Sequence, residues 1–186
     1  MRGYFAIGVE SVSKPGNLGN LIRTAHAFGA SFVFTIRSGV DLASSKTDTS
    51  KSPGSVPYYA FDSVDELLLP RGCSLVGVEY LDEAVELPSF RHPRCAAYVL
   101  GQERGVLSSE LIARCDHVIK IPTRFCINLS TAGAIVLYDR LLATGKFGDR
   151  PVVPGGPVEL PPPHVRGAPI WIKKARRRAK KARGEG

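Results

Sequence analysis

Three times this chain passes from a short apolar run into a segment of helical character, each time through a junction rich in Gly, Asn or Pro. The junctions are Pro15-Gly16-Asn17-Leu18-Gly19-Asn20-Leu21-Ile22-Arg23-Thr24-Ala25, Val99-Leu100-Gly101-Gln102-Glu103-Arg104-Gly105-Val106-Leu107 and Ile121-Pro122-Thr123-Arg124-Phe125-Cys126-Ile127-Asn128-Leu129-Ser130. Strands separated by helices do not pair as tight hairpins. They fold as an α/β domain with a mostly parallel sheet flanked by helices. Open sheets of that kind place ligands where the carboxyl ends of strands meet the following helices.

Residues 4–10, 31–37, 74–80, 95–101 and 117–121 read as strands from their Val, Ile, Phe and Tyr content. Residues 18–28 have helical character and stop at Gly29. A short helix is expected over 64–69 with Asp62 or Ser63 as its cap, another from Ser108 to about Cys115, and the longest from Asn128 to Thr144, closed by Gly145. Residues 38–57 are polar and read as a long loop. The expected organisation is a folded domain over 1–150, a Pro- and Gly-rich linker or strap over 151–172, and a basic tail over 173–186.

The chain has 186 residues and a net charge of +8. From Lys173 onward it holds eight Lys or Arg against one Glu, so seven of those charges belong to the tail. A dense run that includes Lys173, Lys174, Arg176, Arg177 and Arg178 either binds nucleic acid or serves as a solvated, solubilising end. Cys73, Cys95, Cys115 and Cys126 form no C-x-x-C pair and no zinc-finger spacing with the histidines. No apolar run reaches the length of a membrane span, and no signal pattern opens the chain, so the expected location is cytoplasmic. Phosphate-loop and G-x-G-x-x-G signatures are absent, which weighs against kinase, GTPase and ordinary dinucleotide-binding classes.

Each junction has a chemical and a structural reading. Asn17, Asn20 and Arg23 lie within two helical turns, and an Arg fork beside an amide suits a phosphate or an alkoxide oxygen. Equally, Asn17 caps the helix while Arg23 lies on a solvated face. Gly101 and Gly105 bracket Glu103, either to admit a ligand against the backbone or to make a plain strand-to-helix turn. Asn128 and Ser130 stand beside free N–H groups at a helix start, with Ile121, Ile127 and Leu129 able to wall an apolar slot for an adenine ring, or Asn128 is simply the cap. The small-residue stretch Thr131-Ala132-Gly133-Ala134 permits close helix packing, within one subunit or against another.

Taken in order, the three junctions resemble the motifs of the SpoU family of RNA ribose 2′-O-methyltransferases, in the SPOUT superfamily, over residues 4 to about 142. The resemblance implies a deep trefoil knot in the C-terminal half, a homodimer, and S-adenosylmethionine bound in a bent shape. On matching positions it implies Arg23, Glu103 and Asn128 as catalytic residues. It places Val78, Glu79, Leu100, Gly101, Ile121, Cys126 and Ile127 around the cofactor. Asn17 and Asn20 would then face the RNA, together with the basic tail. Many relatives carry a serine where this chain has Cys126, and a thiol is the weaker hydrogen-bond donor. The expected substrate is tRNA, with rRNA as the alternative. A noncatalytic knotted RNA-binding or assembly factor is the reading from another class.

Overall fold

The computed structural model describes residues 3–40, 55–102, 105–145, 147–148 and 150–156. The chain divides into two units, Met1–Gly145 and Lys146–Gly186. All helices and strands among the described residues lie in the first unit. Its strands are β1 (Phe5–Glu10), β2 (Phe32–Ile36), β3 (Tyr58–Phe61), β4 (Ser74–Val78), β5 (Val85–Glu86), β6 (Ala96–Leu100) and β7 (His117–Lys120). The helices among the described residues are α1 (Pro15–Phe28), α2 (Ser109–Arg114) and α3 (Leu129–Thr144), with a 3₁₀ turn at Leu87–Ser89. The strands form one sheet in the order β3-β2-β1-β6-β4-β7-β5, and each adjacent pair is parallel.

Both faces of this sheet are covered, which is why its central strands read as continuous apolar runs rather than as alternating ones. Ile7, Val9, Tyr98 and Leu100 point to one face, where Leu21 and Ile22 of α1 and Val136 and Leu137 of α3 cover them. Ala6, Phe34, Ala97 and Val99 point to the other, against Leu107 and Leu111. Helix α3 comes close to α1 and β1 at Gly133, where an added Cβ would stand 2.7 Å from Leu21 Cδ1 and 3.2 Å from Ile7 Cδ1. Gly133 therefore serves packing inside the subunit.

The helix ends follow their sequence signals with one exception. Gly29 closes α1 in the left-handed region at φ 78°, Ser108 caps α2, and Asn128 caps α3. Helix α1, however, starts three residues earlier than its apolar spacing suggests. Lys14 is the N-cap and Pro15 takes the first turn, where its missing N–H costs nothing. Asn17 is not the cap.

The helix expected over 64–69 does not form. Ser63 Oγ accepts the Glu66 N–H at 3.3 Å, as a helix cap does, and Glu66 Oε2 accepts the N–H of the preceding Asp62 at 3.2 Å. The turn stops there because Arg114 of α2 donates to the Val64 and Leu67 carbonyls, acceptors a growing helix would need for itself. Val64 and Leu67 are buried in the second core cluster, and Pro70 follows. Strands β3 and β5 were not expected from the sequence; β3 is a half-exposed edge and β5 has only two residues.

A buried polar knot fastens α3 to β6. Arg140 donates to the carbonyls of Pro93 at 2.6 Å and Arg94 at 2.8 Å, and to Tyr98 Oη at 3.1 Å. With its oxygen accepting from Arg140, Tyr98 directs its own proton to His92 Nδ1 at 2.6 Å. His92 Nε2–H then meets Asp139 Oδ1 at 2.8 Å. Burial lowers the His92 pKa and outweighs the opposing pull of Asp139, while the Arg140 cation lowers it further. A folded-state pKa below the unfolded value means the unfolded chain binds the extra proton first. Stability from this residue is therefore lost as pH falls below the ordinary value of 6.5. Urea unfolding between pH 7.5 and 5.5 should show the wild type losing up to about 1.4 kcal/mol per pH unit more than His92→Gln. Parallel pH profiles for the two proteins would contradict a neutral buried His92.

Candidate active site at the carboxyl edge of the sheet

Because every strand runs the same way, the loops that follow β4, β6 and β7 emerge on one edge, beside the amino ends of α1 and α3. They enclose a cleft of about 390 Å³. Val78 and Glu79 line it from the end of β4, and Leu100 and Gly101 from the end of β6. Ile121 contributes from the end of β7, and Cys126 and Ile127 from the loop before α3. These are the seven residues that the family resemblance places around the cofactor. Gly105, read in the sequence as one of two glycines that admit a ligand against the backbone, also lines the cleft, as do Lys14, Tyr80, Gln102 and Thr123, which were not singled out there.

Asn17 and Asn128 stand together on one wall. Asn128 Oδ1 accepts the N–H groups of Ser130 at 3.0 Å and Thr131 at 3.3 Å, and Ser130 Oγ donates to it at 2.6 Å. Its amide nitrogen donates to Asn17 Oδ1 at 3.1 Å, so one side chain caps α3 and joins it to α1. Both readings of Asn128, cap and cleft residue, hold at once. Neither α1 nor α3 has an acidic residue in its first turn, so no carboxylate of their own offsets the partial positive charge of their amino ends at the cleft.

The loop after β6 is held by two carboxylates at the ends of the strands on either side of it. Glu79 Oε2, from the residue after β4, accepts the Leu107 N–H at 2.7 Å. Glu10 Oε2, from β1, accepts the next N–H, that of Ser108, at 2.8 Å. Glu10 is almost fully buried, and Arg37 compensates its charge at 3.4 Å while reaching Glu110 at 2.5 Å. Glu79 thus lines the cleft while its carboxylate braces the loop. Glu10 was missed in the sequence, where its only signal is an acid closing an otherwise apolar strand.

The other expected residues divide. Asn20 and Arg23 are exposed on α1 and lie outside the cleft walls of this single chain. Asn17 and Arg23 are six positions apart on the helix, a rise of about 9 Å. Glu103 lies outside the described residues, as do Lys173, Lys174, Arg176, Arg177 and Arg178.

Gly101 shows how tight the loop anchor is. An added Cβ would stand 2.5 Å from Glu79 Oε2 and 3.1 Å from the Leu107 nitrogen. Gly101→Ala should therefore break the Glu79–Leu107 bond. Hydrogen exchange at Leu107 should rise roughly tenfold to a hundredfold, the range for losing a bond to a charged acceptor. Unchanged protection would show that the loop holds without that carboxylate.

Comparison with known proteins places the fold in a family. The model of the SpoU rRNA Methylase family matches residues 4–138. The tRNA (guanosine(18)-2′-O)-methyltransferase of Escherichia coli K12 is 26% identical over 137 residues, covering 70% of this chain and 60% of the relative. An uncharacterised tRNA/rRNA methyltransferase of Synechocystis is 31% identical over 156 residues, covering 78% of this chain and 39% of the relative. The chain thus spans three fifths or less of these curated relatives. Among solved structures, the AdoMet-bound rRNA methyltransferase of Sinorhizobium meliloti superimposes with a TM-score of 0.69 at 23% identity, over 78% of this chain and 59% of the other. A protein solved for the 2-OH methylation of C/U34 on tRNA gives 0.67 at 26%, over 76% of this chain and 91% of the other. With the family model matched over well over half its length, the chain belongs to the SpoU rRNA methylase family.

Proposed function

We propose that this chain is an S-adenosylmethionine-dependent RNA ribose 2′-O-methyltransferase acting on tRNA. The observation that carries the reading is the cleft itself, where residues of all three junctions converge on one edge of the sheet. Its volume falls in the range of small-molecule and cofactor sites. Val78, Leu100, Ile121, Ile127 and Leu129 give an apolar wall suited to an adenine ring, and the turns at Gly101 and Ile127 bring backbone groups to the same space. The donor set fits the cofactor. When bound, S-adenosylmethionine supplies an electrophilic methyl group on its sulfonium centre.

The protein's own task is then to hold a ribose 2′-hydroxyl in line and to stabilise the charge that develops on its oxygen. Asn17 and Asn128, with the amino ends of α1 and α3, supply oriented dipoles at the cleft. A guanidinium stays protonated in proteins, so Arg23 is assigned to positioning and charge stabilisation and not to proton removal. Arg23 does not reach the cleft of its own chain. The reading therefore includes a homodimer in which Arg23 serves the partner's cleft. The exposed stripe Ile135, Tyr138 and Leu142 on α3 is an apolar face for a second copy. Glu103 is retained as a catalytic residue, with a deep trefoil knot in the C-terminal half, on the family resemblance alone.

The tRNA assignment follows the E. coli relative and the C/U34 structure, both at 26% identity. The family description and the Sinorhizobium protein favour rRNA as the second substrate. The basic tail adds affinity without sequence choice.

Two outcomes are expected. Arg23→Ala should lower the rate of methyl transfer at least about a hundredfold, as loss of a transition-state donor does. Calorimetry should show S-adenosylmethionine binding within a few-fold of wild type. Lost cofactor binding would place Arg23 against the cofactor and contradict its assigned role. Deleting residues 173–186 should weaken RNA binding and flatten its dependence on salt. An unchanged salt slope would reduce the tail to a solubilising segment.

A further inference from the structure

Two aromatic rings on the rim of the cleft are left in water by a backbone that is firmly held. Tyr80 lines the cleft and is 48% exposed; Phe125, in the loop between β7 and α3, is 73% exposed. Tyr80 Oη donates to the Thr123 carbonyl at 3.0 Å, and Thr123 Oγ1 donates to the Phe125 carbonyl at 2.9 Å. The Tyr80 N–H is taken by Glu79 Oε1 at 2.9 Å. Lys120 Nζ, at the end of β7, donates to the carbonyls of Leu81 and Asp82 at 3.1 and 3.0 Å. These bonds tie the segment after β4 to the segment after β7, with Thr123 as the common node. The hydroxyls of Tyr80 and Thr123 are thus satisfied, while the rings of Tyr80 and Phe125 are not covered.

An apolar ring kept in water at the mouth of a site has a use when its ligand carries a flat π face. Nucleobases stack on exposed aromatic side chains, and they do so when splayed from a helix or held in a loop, where one face is open. Thr123, Cys126 and Ile127 line the cleft, whereas Phe125 does not, so its ring lies outside the space assigned to the cofactor. Arg124, beside it, is exposed and offers a cation to a phosphate of the same strand.

We propose that Phe125, with Tyr80 as its neighbour on the rim, stacks on an unpaired nucleobase of the RNA strand whose ribose enters the cleft. The proposal rests on the methyltransferase reading and adds the means by which the strand is held. Stacking accepts any base, so Phe125 contributes affinity and position and leaves base choice to other contacts.

The test measures three quantities on the full chain: affinity for unfractionated tRNA in about 0.15 M salt, where long-range attraction is screened, affinity for S-adenosylmethionine, and mass by sedimentation. Phe125→Ala should weaken tRNA binding by roughly fivefold to 150-fold, the range for removing one stacked base. Its cofactor affinity and mass should match wild type, and Phe125→Trp should restore tRNA binding. Unchanged tRNA affinity in Phe125→Ala would overturn the proposal, as would an equal loss in Phe125→Trp. A parallel loss of cofactor affinity would put the ring on the adenine instead, and a change in mass would put it between two copies; either result overturns it. If the wild type binds tRNA in this ring-dependent way but does not bind S-adenosylmethionine, the methyltransferase reading falls and the stacking site stands.

Discussion

Every described strand of the sheet runs in the same direction, and the site depends on that constraint. A parallel sheet sends all its carboxyl ends to one edge, so segments far apart in sequence deliver their loops to one place. Here β4, β6 and β7 do so beside the amino ends of α1 and α3, and the cleft is what remains between them. Covering both faces of the sheet buries the strands too deeply for any to carry the chemistry mid-length. The cleft is left to the edge.

Such an edge is made of loops, and loops need fixing if they are to define a cleft. The chain does this with side chains of its own. Glu10 and Glu79, at the ends of the strands on either side of β6, take two consecutive backbone N–H groups of the loop between them. Asn128 joins the start of α3 to α1. Thr123 and Tyr80 link the remaining two loops. Each fastener is a polar group whose partner lies in a different element or loop, so the cleft's shape is a property of the assembled domain and not of any one motif.

This explains which parts were legible in the sequence. Strands buried on both faces announce themselves as apolar runs, and β1, β2, β4, β6 and β7 fall within a residue or two of their expected spans. Gly29, Ser108 and Asn128 mark helix ends by local chemistry alone. What the sequence hid is what depends on distant partners. Residues 62–67 carry a genuine helix start, yet Arg114, 47 and 50 residues away, takes the carbonyls that would extend it. Asn17 looks like a cap, but its oxygen is used by a residue 111 positions later. The partner of Glu10 is 98 residues away, and nothing near Glu10 in sequence announces the contact. The two-residue strand β5 exists only because β7 lies beside it.

The central claim is that the cleft brings a ribose 2′-oxygen to a methyl donor. The most direct measurement is transfer of labelled methyl from S-adenosylmethionine to RNA from cells lacking this protein, with tRNA and rRNA separated and each digested to nucleosides. The account predicts label in a 2′-O-methylated nucleoside from the tRNA fraction. Label in a base-methylated nucleoside would contradict it, as would no label in either fraction from a protein that binds both S-adenosylmethionine and RNA.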